Sequence, residues 1–187
     1  MIELKVVNDK AAKEFVKETI QNFHSYVPST SSVGRRIDWV VFNDDKPVGM
    51  IGIGSSVYPP PKDILRHIGL SIKEYKEVFN TFANNWRFCM REKIKNAGTQ
   101  ILKELRKQAP LHWKQKYGDD LKYLITFVAG GNNGAVYKAD NWNMIGQTAG
   151  LPKHKSVSMK WHSSEELKSL YVKPTGENKK LIFIKNL

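Results

Sequence analysis

The chain has 187 residues, 41% hydrophobic and 11% aromatic, which excludes a disordered polypeptide and fits one α/β domain with a substantial core. Thirty Lys and Arg against 18 Asp and Glu leave a net charge of +12, so polyanions are the favoured partners, DNA first among them. A lone cysteine, Cys89, excludes an internal disulfide and a multi-cysteine zinc centre; with no signal-peptide h-region and no apolar run of about 18 residues, a cytoplasmic protein with no membrane partner is expected.

Ile2 to Val7 alternates like a first strand, and Asn8 or Asp9 can cap a helix carrying Ala12, Phe15, Val16 and Ile20 at 3.6 spacing and ending near His24. Ser25 to Arg35 sustains neither period and reads as a loop. Ile37–Asn43 and Val48–Ser55 follow as two strands around a turn at Asp44-Asp45-Lys46-Pro47. The second is glycine-rich (Gly49, Gly52, Gly54), the mark of a bulge, a close ligand or a helix packed tightly across the sheet. Beyond Pro59-Pro60-Pro61, residues 63–83 read as a mainly helical insertion or lid.

Trp86 to Glu92 reads as a buried strand holding Cys89 as an inert structural thiol. An amphipathic helix with Ile101, Leu102 and Leu105 follows and should stop at Ala109-Pro110. Next comes the most informative stretch, Leu121 to Gly146. It reads as a strand from Tyr123 to Val128, a Gly/Asn turn, a short helix presenting Tyr137, and a strand from Trp142 to Thr148. The last strand is Leu181 to Lys185, after a lysine-rich loop around Pro174-Thr175-Gly176. The segments 86–121 and 151–187 each carry a net charge of +5, and they either flank a nucleic-acid groove or form an ordinary solvated basic surface.

The order strand, helix, hairpin, strand, helix, strand, helix, strand resembles the GNAT acyltransferases. The resemblance implies a mixed central β-sheet flanked by helices, with a helical insertion around residues 60–83. It also implies one domain over 1–187, with a basic C-terminal extension, 151–187, packed on or next to it. Between the Trp86 strand and its helix, Arg91-Glu-Lys-Ile-Lys-Asn96-Ala-Gly98-Thr99 occupies the place of the family's pyrophosphate loop, whose signature is degenerate here. Acetyl-CoA is the implied donor, with Arg91, Asn96, Gly98, Thr99 and Asn133 as its candidate contacts. Asn133-Gly-Ala-Val-Tyr137 resembles the family segment whose tyrosine protonates the departing thiolate of coenzyme A.

His24-Ser-Tyr26-Val-Pro28, Pro47 to Ser55, Asn84-Asn-Trp-Arg87 and Thr126-Phe-Val through Gly146 together resemble the Mom-type phage DNA-modification proteins. Pro110-Leu-His-Trp-Lys-Gln-Lys-Tyr-Gly118 and Gly146-Gln-Thr-Ala-Gly150 are also similar to the DruA domain of an anti-phage system. Mom-type proteins convert adenine in DNA to N6-carbamoylmethyladenine and so protect it from restriction. The resemblance therefore implies a DNA-adenine modification enzyme, with Tyr137, His24, Thr126 and Tyr26 as catalytic candidates. Three positions depart from the pattern: Ser25 separates His24 from Tyr26, Thr126 replaces a serine, and Ala129 or Gly130 replaces an Asp.

His24 is the best general base by intrinsic pKa and Tyr137 the best acid. Because adenine N6 lies inside a duplex, the base must be flipped out or single-stranded, and Trp39, Tyr58, Trp86 or Trp142 could stack it. Candidate phosphate contacts are Arg35, Arg36 and Arg87 with Lys153 and Lys155 of the tail. An iron held by His24, Tyr26 and carboxylates is conceivable but not predicted, because no ligand spacing here is diagnostic. Two competing functions remain: an N-acetyltransferase acting on a small amine or a protein, and a non-catalytic DNA-binding module.

Overall fold

A computed structural model describes residues 1–24, 29–30, 32, 34–129, 132–150, 176 and 178–187. Its centre is a seven-stranded mixed sheet, from β1 (Ile2–Val6), β2 (Arg36–Asn43), β3 (Lys46–Ser55) and β4 (Phe82–Met90) through β5 (Tyr123–Val128), β6 (Asn143–Gln147) and β7 (Leu181–Asn186), in the spatial order β1-β2-β3-β4-β5-β7-β6. Five helices are described: α1 (Lys10–Phe23), α2 (Lys62–Ile68), α3 (Ile72–Glu77), α4 (Ala97–Tyr117) and α5 (Ala135–Ala139). This is the expected mixed α/β arrangement. The last strand is an inner one, paired antiparallel to β5 on one side and β6 on the other.

Period-2 alternation assigns the two faces. Trp39, Val41, Ile51, Ile53, Leu124 and Phe183 point to one side, where Ile101, Leu102, Leu105, Ala109 and Trp113 of α4 complete the largest core. Their strand neighbours build two smaller clusters. Val40, Met50 and Cys89 meet Val16 and Ile20 of α1, whereas Ile125, Ile182 and Ile184 meet Ile64 of α2 and Tyr75 of α3. The helical segment expected around 60–83 is therefore present as a cover over the β5–β7 half of the sheet, its Ile64 and Tyr75 fully buried, rather than a lid.

Local chemistry explains the boundaries. Asp9 caps α1 by accepting from the Ala12 amide at 2.8 Å, and His24 ends it with extended backbone. The β2–β3 turn is two residues, Asp44 and Asp45, both at positive φ (48° and 65°) as a primed hairpin turn requires, so Lys46 and Pro47 belong to β3 rather than to the turn. β4 begins four residues before the expected Trp86, because Phe82 and Ala83 pair in parallel with Tyr123 and Leu124. Nor does Pro110 stop α4, which runs 21 residues to a left-handed Gly118. Trp113, fully buried with its indole N–H on the Asn80 carbonyl at 3.0 Å, holds the turn beyond the proline, and that packing outweighs the missing helix hydrogen bond.

Candidate active site

The site is made where the sheet opens. Parallel pairing of β4 with β5 ends at Asn84↔Ile125, after which β4 stays with β3 and β5 with β7. At the same point the β3–β4 register shifts, Gly52 facing Arg87 and Ile53 facing Asn85, so that Trp86 is the extra residue of a bulge. A Cβ on Gly52 would run into the Trp86 indole and the Asp38 carboxylate, which explains a glycine here. Parting strands and bulge together leave a cleft of about 400 Å³ lined by His24, Asn85, Trp86, Arg87, Thr126, Asn133 and Tyr137, among others.

Asn85 organises this opening. Its side-chain amide donates to the Gly52 carbonyl at 2.8 Å and the Arg87 carbonyl at 3.0 Å, satisfying backbone that the bulge has disengaged. The Thr126 hydroxyl, 3% exposed, donates across the gap to the Asn85 carbonyl at 3.2 Å. Tyr137 donates its hydroxyl to Asn85 Oδ1 at 2.7 Å. Its ring, 7% exposed, is fixed by Phe183 (centroids 5.7 Å) and Trp142 (5.1 Å). α5 is held in place from below: Gly134 sits at φ +68°, and any Cβ there would enter the Phe183 ring. Asn133 accepts from the Ala135 amide at 3.0 Å, and Asp140 ties the far end of α5 to Arg106 of α4 and to the Trp142 indole.

Charge gathers on one wall. Burial, and then the positive charge of Arg87, lower the His24 pKa from its ordinary 6.5, which favours the neutral imidazole, the form a general base needs. The Arg87 guanidinium reaches the Ser29 carbonyl at 3.0 Å and lies 4.6 Å from the Trp86 ring centre, and that of Arg36 lies 4.0 Å from the same ring. Asp38 takes the Trp86 indole N–H at 3.0 Å and Arg36 at 2.6 Å; burial is the largest influence on its carboxyl and raises its pKa. A second cavity, of about 550 Å³, shares Asn85, Trp86, Arg87 and Phe127 with the first and continues past Pro59, Thr148 and Lys180. Two chambers thus meet at the bulge.

The structure therefore brings together His24, Arg87, Thr126, Asn133 and Tyr137. Other candidates lie elsewhere. Arg91 turns to α1, where it meets the Thr19 hydroxyl (2.7 Å), the Phe15 carbonyl (2.9 Å) and the Phe15 ring, and so serves the fold. Asn96 is the left-handed N-cap of α4, Thr99 donates back to its carbonyl at 3.3 Å, and Gly98 leaves room for the Val136 side chain. Arg35 pairs with Asp119 at 2.5 Å against Trp113 and Tyr117. Trp39 is fully buried and Trp142 4% exposed, which removes both as base-stacking platforms; Trp86 is half-buried and Tyr58 exposed. Tyr26, Lys153 and Lys155 lie outside the described residues. Asn85 went unrecognised as a site residue because two adjacent asparagines before Trp86 read as a strand boundary; a polar pair inside a pairing strand was the available signal.

Among the described residues, no three His, Cys, Asp or Glu side chains gather to hold a metal ion, and no helix is long and apolar enough to cross a membrane. A family model described as Druantia protein DruA matches residues 1–159. No curated protein matches the chain in sequence. Among solved structures, Arabidopsis thaliana NAA60 in complex with acetyl-CoA is similar at a TM-score of 0.60 and 10% identity, covering 100% of this chain and 99% of that one. An IAA acetyltransferase from Bacillus cereus is similar at 0.54 and 12%, covering 100% of both chains. A Desulfovibrio desulfuricans structure described as of the GNAT family is similar at 0.54 and 7%, covering 100% and 99%. At these identities the likeness is one of fold, which is GNAT-like.

Proposed function

The chain belongs to the DruA family, and we propose that it is an acyltransferase-like enzyme that moves a two-carbon unit from a coenzyme A thioester to the N6 amine of adenine in DNA. The observation that carries this reading is the opening between β4 and β5, where a chamber lined by Tyr137 and His24 meets a second at Asn85, Trp86, Arg87 and Phe127. One chamber would admit the donor and the other the acceptor.

The residues fit a coenzyme A thioester. Beyond Asn84 and Ile125 the facing edges of β4 and β5 no longer pair with each other, and Trp86–Phe88 and Phe127–Val128 line a cleft suited to a pantetheine arm. α4 begins at Asn96 without a side-chain cap, so its first amides can face a pyrophosphate. When bound, the thioester supplies an activated carbonyl carbon and a thiolate leaving group.

Four residues of this chain then act. His24, held neutral, accepts the proton of the attacking amine at a ring nitrogen. Tyr137 provides the proton for the departing group: rotation about its Cζ–Oη bond turns the hydrogen from Asn85 Oδ1 into the cleft while Phe183 and Trp142 keep the ring still. Thr126 and Asn85 are positioning residues that keep the strands apart at a fixed spacing. This reading takes 1–187 as one domain, with the lysines after Gly150 as further phosphate contacts.

DNA is favoured over a small basic amine or a protein lysine by the sign of the acceptor chamber. Among the described residues, Arg87 and Lys180 are the charged side chains that line it, and Arg87 is close enough to add to burial in lowering the Lys180 pKa. Two cations repel a cationic acceptor and attract a phosphate-bearing one. Mass spectrometry of nucleosides from DNA of cells expressing the protein tests the proposal. A deoxyadenosine heavier by an acetyl group is expected, and lost in Tyr137→Phe; a carbamoylmethyl adduct would require a nitrogen donor and a bond to the methyl carbon beyond this step. Unmodified DNA alongside acetylation of a small amine would establish the N-acetyltransferase instead; salt-sensitive DNA binding with no product from any acceptor would establish a silent module.

A further inference from the structure

We propose that the groove between α1 and the C-terminal half of α4 is the track on which the DNA phosphate backbone lies as it approaches the cleft, an inference that rests on the reading above. The groove, of about 540 Å³, is lined by Lys13 and Lys17 one turn apart on α1, by Arg36 at the start of β2, and by His112 and Lys116 on α4. Among the described residues that line it, the one carboxylate, Asp38, is already engaged by Arg36 at 2.6 Å and by the Trp86 indole. Lys13, Lys17 and Lys116 are exposed. Lys17 meets Glu14 at 3.1 Å in an exposed i,i+3 pair that salt screens, and Lys116 Nζ donates to the Arg36 carbonyl at 2.9 Å, which anchors it at the groove rim with its charge retained.

Two further observations favour a polyanion here. The groove at the opposite end of the β1–β2 pair, also against α4, sets four carboxylates (Glu3, Asp44, Asp45 and Glu104) against Lys103 and the Met1 ammonium, so its balance of charge is opposite in sign to that of the basic groove. The basic groove is also linked to the site through the elements that line it. α1 carries Lys13 and Lys17 along it and ends at His24 in the cleft wall, and Arg36 lies against Trp86, which lines the cleft. From Lys13 to His24 is about 16 Å at the helical rise of roughly 1.5 Å per residue. That corresponds to about five base-pair steps of roughly 3.4 Å.

Anisotropy of a fluorescent DNA, duplex and single-stranded, across a salt series tests this with the full chain. Lys13→Gln, Lys17→Gln and Lys116→Gln together should weaken binding at least about tenfold at low salt. They should also flatten the slope of log affinity against log salt by two to three units, at about 0.9 per lost phosphate contact. A control triple, Lys62→Gln, Lys73→Gln and Lys76→Gln on α2 and α3, removes the same charge from another face and should bind nearly as wild type. Wild-type binding by the first triple, or equal loss in both, overturns the groove while leaving the enzyme reading intact. No DNA binding by the wild-type protein overturns both.

Discussion

The Tyr137 hydroxyl sits 2.7 Å from Asn85 Oδ1, a bond between residues 52 positions apart that couples the short α5 helix to the β4 bulge. The phenol is thus aimed by the same side chain that props the strands open. Tyr137→Phe keeps the ring packing and deletes only this donor. The expected result is a fall in kcat of about 10²–10⁴-fold, the usual value of a general acid. Because Asn85 Oδ1 is left buried without its donor, stability should also drop by about 1–3 kcal/mol. Single-turnover rates with urea unfolding of the same variant check both; an unchanged rate removes Tyr137 from the chemistry.

Asn85 has a larger structural task than Tyr137. Asn85→Ala abandons the Gly52 and Arg87 carbonyls and the Tyr137 hydroxyl at once, in a position only 5% exposed. With about 1 kcal/mol for each typical bond and more for each group stranded, a loss of roughly 3 kcal/mol or more is expected. Asn85→Asp should be worse, since a carboxylate oxygen would confront two carbonyl oxygens. Denaturation midpoints measure both, and a loss below 1 kcal/mol in the alanine variant would mean the bulge holds without this residue.

How far the chain could be read in advance follows from which interactions are local. Ile2–Val6, the Asp9-capped α1 and the Tyr123 strand with the Tyr137 helix all carry their period and punctuation within a dozen residues, and they form as expected. Cys89 also behaves as its apolar neighbours suggest: it is buried, with burial chiefly responsible for a thiol pKa of about 11. Asn85 and Arg91 were opaque for a different reason. Whether Asn85 faces a cleft depends on where β5 leaves β4, and where Arg91 points depends on α1, 72 residues earlier at Thr19. Neither fact is local. Pro110 shows the converse, a strong local signal overruled by distant packing of Trp113.

That overruled signal can be turned to use. Pro110 has no N–H to give the Arg106 carbonyl, and its ring crowds the preceding turn, at a cost of about 3 kcal/mol in an ordinary helix interior. Pro110→Ala restores the bond, while the freer unfolded chain takes back about 0.4–1 kcal/mol. A net gain of about 2 kcal/mol or slightly more is expected, which for a chain of this size raises Tm by roughly 4–10 °C. Calorimetry reads the shift directly; a lowered Tm would mean that α4 needs its proline geometry to seat Trp113.

The pH profile distinguishes His24 from a bystander. Its pKa lies below 6.5 through burial first and the Arg87 charge second, so the unfolded chain takes up a proton at a higher pH than the folded one does. Lowering pH through that window should therefore protonate the base, cut kcat/KM, and weaken the fold, in that a buried imidazole must accept a charge. Arg87→Gln removes the smaller of the two causes. The acidic limb of kcat/KM should then move up towards 6.5 without reaching it, because burial persists. His24→Gln should abolish the limb and slow turnover by about 10²-fold or more. If Arg87→Gln leaves the limb where it was while His24→Gln keeps full activity, the proton goes elsewhere, and the base must be sought outside this wall of the cleft.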